Sequence, residues 1–113
     1  MTNDKPVTVI CKYVVKPGKE AEMRALLADH YPTLRRAGLV TEEPALIYSG
    51  VPGDDEKEER HGRSTGVFIE IFSWRTGDSS RVAHESPDVM KVWEPMGAIC
   101  EHMEFPHFER ITP

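Results

Sequence analysis

His30 is the residue of this 113-residue chain that most needs a chemical explanation. It falls on the stripe Met23, Leu27, His30, Leu34, whose spacing is helical, so its imidazole faces the protein interior. An interior imidazole must find hydrogen-bond partners, and it is the side chain suited to moving protons near neutral pH. It is therefore either a pocket base, a donor to a bound carbonyl, or a core histidine satisfied by a backbone carbonyl, by Tyr31 or by Tyr48. Glu70 poses the same question on a strand, standing between Phe68 and Phe72. A carboxylate on an apolar face is costly unless paired. Glu70 is thus either a proton-transfer group or half of a salt bridge with an Arg or Lys, within the subunit or across an interface. Trp74, Trp93, Met96 and Met103 are either core packing or the walls of a pocket for a flat, greasy ligand, with Tyr48 a further candidate contact. A base set in dry, apolar walls is equipment for ionising a small molecule and holding the carbanion or enolate that results.

Other chemistry finds less support. The five histidines show no His-x-His or His-x3-His pairing, and His102 and His107 straddle a helix-to-strand junction, so no metal site is expected. No Gly-x-Ser-x-Gly elbow, phosphate-binding glycine loop or dinucleotide fingerprint occurs, and no cofactor is expected. A formal charge of -5 argues against a nucleic-acid surface, which needs clustered Lys and Arg. No apolar run approaches the roughly 20 residues of a membrane span. The polar start MTNDKP lacks the apolar stretch of a signal peptide, so a cytoplasmic location is expected. Cys11 and Cys100 lie far apart in no redox or metal spacing and read as buried free thiols.

The elements that must position these side chains can be read in order. Val7 to Val15 is rich in β-branched residues and bounded by Pro6 and Lys16-Pro17-Gly18, which predicts a strand. A helix follows, with Glu20 and Glu22 near its start, Arg35 and Arg36 near its end and Gly38 as a C-terminal cap. Pro32 predicts a kink or break after Tyr31. Residues 44–49 predict a second strand. Residues 52–66 hold a cluster of acids and three glycines with no apolar residue, and predict an exposed acidic hairpin loop. Val67 to Trp74 predicts a third strand with Val67, Ile69, Ile71 and Ser73 on one face and Phe68, Glu70, Phe72 and Trp74 on the other. Asp78 caps a short helix to Glu85, and Ser86-Pro87-Asp88 starts another. The stripe Val89, Val92 or Trp93, Met96, Ile99 or Cys100, Met103 predicts that this helix reaches Met103. Residues 105–111 close the chain as a short strand, with Pro106 marking an edge or irregular start.

The order β-α-β-β-α-β predicts one domain over residues 1–113: a ferredoxin-like α+β fold, with a four-stranded antiparallel sheet and both helices on one face. The third strand is mostly apolar on both faces. Helices cover one of them, and a large apolar patch is rarely left bare on a monomer. The expected partner for the other face is a second copy of the chain.

The segments VVKPGKEAEMRALL, the strand ending at Trp74, and AHESPDVMKVW together resemble the dimeric α+β barrel superfamily, and within it the antibiotic-biosynthesis-monooxygenase-like domains. Similar members show a Pro-Gly-Lys-Glu-like helix start after the first strand, a third strand ending near a Trp, and an Ala-His before a Ser-Pro helix start. The resemblance spans nearly the whole chain through degenerate motifs, so it bears on fold more than on activity. It implies a homodimer packed through the sheet faces, with a pocket in each subunit between sheet and helices. Some members oxidise aromatic or polyketide substrates with molecular oxygen and no metal or flavin; others degrade haem, isomerise lactones or dehydrate aldoximes. Haem-degrading members carry a His on the second helix where this chain has Trp93 and Glu94. The resemblance also singles out His84, which either reaches the pocket mouth as a general base or is a surface residue on a short helix.

Three functions are then compatible with the residues. One is a cofactor-free monooxygenase, or a related isomerase or lyase, acting on a small apolar or aromatic molecule with His84 or His30 as base. Another is a non-catalytic ligand-binding or stress-related dimer using the same pocket. The third is an RNA-recognition domain, which shares the element order. That reading wants stacking aromatics where Val67, Ile69 and Ile71 stand, and a basic surround that this acidic chain lacks.

Overall fold

The computed structural model describes residues 5–50, 66–109 and 111–113. The expected acidic loop lies outside them, apart from Gly66. Strand β1 (Val7–Val15) leads into helix α1 (Glu20–Arg36), strand β2 (Leu46–Gly50) and strand β3 (Gly66–Trp74). Helices α2 (Ser79–His84) and α3 (Pro87–Ile99) follow, then strands β4 (Cys100–Glu104) and β5 (His107–Phe108). The sheet order is β2-β3-β1-β4, with β5 also on β1, and the four strand pairs are antiparallel. This is the expected α+β arrangement, with its closing edge split into two short strands.

Register decides which side chains meet the helices. Cys11 lies opposite Glu70, Val9 opposite Phe72 and His107, and Tyr13 opposite Phe68 and Met103. Residues opposite one another share a face. The helix-facing layer is thus Val9, Cys11, Tyr13 and Val15 with Phe68, Glu70, Phe72 and Trp74. Its apolar members pack against Met23, Leu27 and Leu34 of α1 and Val89, Val92, Met96 and Ile99 of α3. The opposite face carries Ile10, Ile69 and Ile71, all half-buried, and Leu46, Tyr48 and Phe108, all exposed. The expected second greasy face is therefore present and open within the subunit.

Helix α1 runs through Pro32 without a break. Proline removes the bond to the carbonyl four residues back, here that of Ala28. Ala28 and Pro32 are both exposed, so the freed carbonyl lies on the solvent side. Gly38, at φ 77°, takes the left-handed position just past the helix, as expected of a cap. At α3 the Ser86 side chain accepts from the Val89 N–H and Pro87 opens the helix. The far end of α3 differs from expectation. The helix stops at Ile99, Cys100 is extended, and Met103 belongs to β4. Ile99, Cys100 and Met103 suit a helical stripe as well as a strand, and no Gly or Pro stands between Gly97 and Pro106 to mark the change. What ends the helix is distant: β1 offers Lys12 to Val15 as an edge for pairing, with a register shift at Val14/Val15. The expected closing strand over residues 105–111 is reduced to His107–Phe108, because Phe105 and Pro106 interrupt the edge while the Pro106 carbonyl still accepts from the Ile10 N–H at 3.1 Å.

Candidate functional site

A cavity of about 200 Å³ opens at the helix-covered side of the sheet. Its floor is Val9, Cys11 and Tyr13 of β1 with Phe72 and Trp74 of β3. His30 of α1, Trp93 and Met96 of α3, and Ser80 and His84 of α2 form three walls, and Met103, Phe105 and His107 close the fourth. Alternation places the floor residues: each is one of the inward positions of a strand whose other residues face away. Helical spacing places Trp93 and Met96, three residues apart on one side of α3.

His30 and His84, the two histidines singled out by the sequence, share this cavity but differ in their hydrogen bonds. His30 is buried. Its Nδ1 lies 2.8 and 3.0 Å from the two carboxylate oxygens of Glu70, and the indole N–H of Trp93 donates to its Nε2 at 2.7 Å. An indole nitrogen only donates. Nε2 therefore holds the lone pair, the proton sits on Nδ1, and the ring is neutral beside the carboxylate. That lone pair is already occupied by Trp93. His84 is exposed, and its Nδ1 donates to the Ser80 carbonyl at 2.8 Å. With the proton of Nδ1 so engaged, the lone pair of the neutral ring lies on Nε2, which no described residue hydrogen-bonds. Its ring meets the Trp93 ring edge-on at 4.8 Å. Of the two imidazoles, His84 is the one with a nitrogen free to take a proton.

Glu70 is fully buried beneath the cavity rather than lining it. Tyr13 donates to its Oε1 at 2.7 Å and His30 supplies the other donor. The described partners of this carboxylate are thus a phenol and an imidazole, not the Arg or Lys that a salt bridge would bring. Burial, and then the Glu70 charge, push the Tyr13 phenol upward, so it stays protonated and keeps donating. Burial and then Glu70 likewise push the Cys11 thiol up to about 12.

Trp74, Trp93 and Met96, which the sequence left as either core or pocket wall, line the cavity. Trp74 meets Phe72 at 5.1 Å and Trp93 at 6.4 Å, both edge-on, and its buried indole N–H has no hydrogen-bond partner among the described residues. Tyr48 falls elsewhere. It is 56% exposed and lies opposite Ile69, on the open face of the sheet. One residue of strand parity separates the two faces, and the sequence of β2 is apolar on both. Several lining residues lacked any signal in the sequence. Tyr13 and Cys11 read as ordinary strand residues, and His107 drew notice only as a doubtful metal ligand. Their place in the site follows from pairing between distant segments. Among the described residues, no group of three or more His, Cys, Asp or Glu could hold a metal ion, and no helix is long and apolar enough to cross a membrane.

The sheet order, the helix-covered face and the cavity between them define an antibiotic-biosynthesis-monooxygenase-like α+β fold, as the comparison with solved structures shows. SnoaB, a cofactor-independent oxygenase from Streptomyces nogalater, superposes with a TM-score of 0.68 at 16% identity, covering 96% of each chain. Rv0793 from Mycobacterium tuberculosis matches with a TM-score of 0.67 at 14% identity, over 96% of this chain and 98% of that one. A further antibiotic biosynthesis monooxygenase gives 0.67 at 11% identity, over 94% and 99%. At these identities the likeness establishes the fold. No family model and no curated protein matches the sequence.

Proposed function

We propose that this protein is a cofactor-independent monooxygenase acting on a small, mostly apolar aromatic molecule that carries an ionisable hydroxyl. The observation that carries the reading is the Nε2 of His84, without a described hydrogen-bond partner, at the edge of a cavity whose lining includes Phe72, Trp74, Trp93, Met96 and Phe105. The fold shared with a cofactor-independent oxygenase supports it. A cavity of about 200 Å³ suits one or two fused rings, given that a cavity of ~150 Å³ accepts benzene.

In this reading His84 Nε2 takes the hydroxyl proton and leaves an electron-rich phenolate or enolate in a site that excludes water. Molecular oxygen bonds to a ring carbon activated by that charge. The resulting peroxide loses its distal oxygen as water while the proximal oxygen becomes a ring carbonyl. The water carries away the hydroxyl proton, returned by His84 to the peroxide, and the hydrogen of the attacked ring carbon, and the substrate supplies all the electrons.

Oxygen consumption with a panel of phenols, naphthols and quinols tests the proposal. The wild type should consume oxygen with at least one of them, and His84→Gln should lower kcat by roughly 10²- to 10⁴-fold, the usual worth of a positioned base. Binding of these compounds without oxygen uptake would instead favour a non-catalytic ligand-binding domain.

A further inference from the structure

Glu70, His30, Trp93 and His84 form a continuous line of contacts from the buried layer of the sheet to the cavity mouth. The carboxylate is held by Tyr13 at 2.7 Å and receives the His30 Nδ1 proton at 2.8 Å. That leaves the Nε2 lone pair of His30 to receive Trp93 Nε1 at 2.7 Å. The Trp93 ring, so anchored, stands edge-on to His84 at 4.8 Å. We propose that Glu70 is a positioning residue for His84, acting through His30 and Trp93. This rests on the reading of His84 as the base of the site.

Each link depends on the one before it. His84 sits on a helix of six residues and is itself exposed, and among the described residues its side chain hydrogen-bonds its own element at the Ser80 carbonyl. Its other described neighbour of consequence is the Trp93 ring. Trp93 is only half-buried, and its single polar atom is spent on His30. His30 can accept that bond only while its proton stays on Nδ1. An apolar side chain at position 70 would pack in the same layer without the desolvation cost of a buried carboxylate. What a carboxylate alone adds there is a strong acceptor that holds the His30 proton on the side away from Trp93. The cost of burying Glu70 thus has a return at a residue it does not touch.

Glu70→Gln and Trp93→Phe, alone and combined in the full chain, test the line. Gln keeps the shape and an oxygen that Tyr13 and His30 Nδ1 both reach, but that oxygen is uncharged and weaker, and an amide N–H replaces the Oε2 that stood 3.0 Å from the same Nδ1. The His30 proton can then move to Nε2, where it opposes the Trp93 N–H. The Trp93 indole resonance and the His84 ring resonances should both shift in Glu70→Gln. Binding of 1-naphthol, followed by calorimetry, should weaken roughly fivefold or more. In the Trp93→Phe background the same Gln should change His84 and 1-naphthol binding by less than about twofold, because the link is already cut. Equal losses in both backgrounds, or unmoved Trp93 and His84 resonances in a folded Glu70→Gln, would overturn the proposal.

Should Glu70→Gln not fold, His84→Gln measured with and without Trp93→Phe decides the last link. It should weaken 1-naphthol binding less when Trp93 is Phe, and an equal loss in both overturns the proposal. The resonances report on coupling whether or not oxygen is consumed. A protein that shows the coupling and turns nothing over therefore loses the oxygenase reading and retains this one.

Discussion

At the scale of single residues, the site is a division of labour between two imidazoles that look alike in the sequence. His30 is closed on both sides by Glu70 and Trp93, while His84 keeps one nitrogen open. Because His84 is exposed, His84→Gln should leave the unfolding free energy within about 0.5 kcal/mol of wild type in a urea titration, even as activity falls. The buried thiols and phenol make a separate prediction. Cys11 is pushed up to about 12 and Cys100 to about 11, chiefly by burial, from an ordinary 9.0, and Tyr13 is also raised. Between those limits the unfolded chain has released protons that the folded one retains. The stabilisation is whole below about pH 9 and is lost as pH rises toward about 12. Urea midpoints should fall steadily across that alkaline window, and near neutral pH iodoacetamide should label neither thiol until the chain is unfolded. The sequence made His30 legible as an inward imidazole because helical spacing fixes direction. It left Glu70 without its true partners, because Tyr13 and His30 reach that carboxylate only through tertiary packing. Tyr48 was misplaced for a related reason: a short strand with apolar residues at successive positions does not declare which side is in.

At the scale of elements, local chemistry was legible where a cap or a turn declared itself. Ser86-Pro87 marked the start of α3, and Gly38 the end of α1. Ser86→Ala should cost about 1 kcal/mol, within the usual 0.5–2 kcal/mol for losing an N-cap, read as a lower urea midpoint with an unchanged slope. The switch from α3 to β4 was not legible. Residues 99–103 satisfy either period, and the deciding interaction is pairing with β1 at the other end of the chain. Since β4, β5 and the link between them bring Met103, His107 and Phe105 to the cavity, extending the helix to Met103 left Phe105 and His107 out of the expected site.

At the scale of the whole molecule, the open sheet face is the feature with the clearest consequence. Ile10, Ile69 and Ile71 with Leu46, Tyr48 and Phe108 make a largely apolar surface on the side away from the helices. We propose that a second copy of the chain covers it, as the third strand's two apolar faces already suggested. Sedimentation at micromolar concentration should give a dimer, and Ile71→Lys should shift the population toward single subunits by placing a charge in the middle of the contact. A stable single subunit in the wild type would refute this assembly.

The chain's two tryptophans are both built into the cavity wall, 6.4 Å apart. Its tryptophan emission, excited apart from that of the tyrosines, therefore arises wholly from the chamber. Any compound that enters should dim or recolour that glow, so candidate guests can be ranked by light alone before a single turnover is measured.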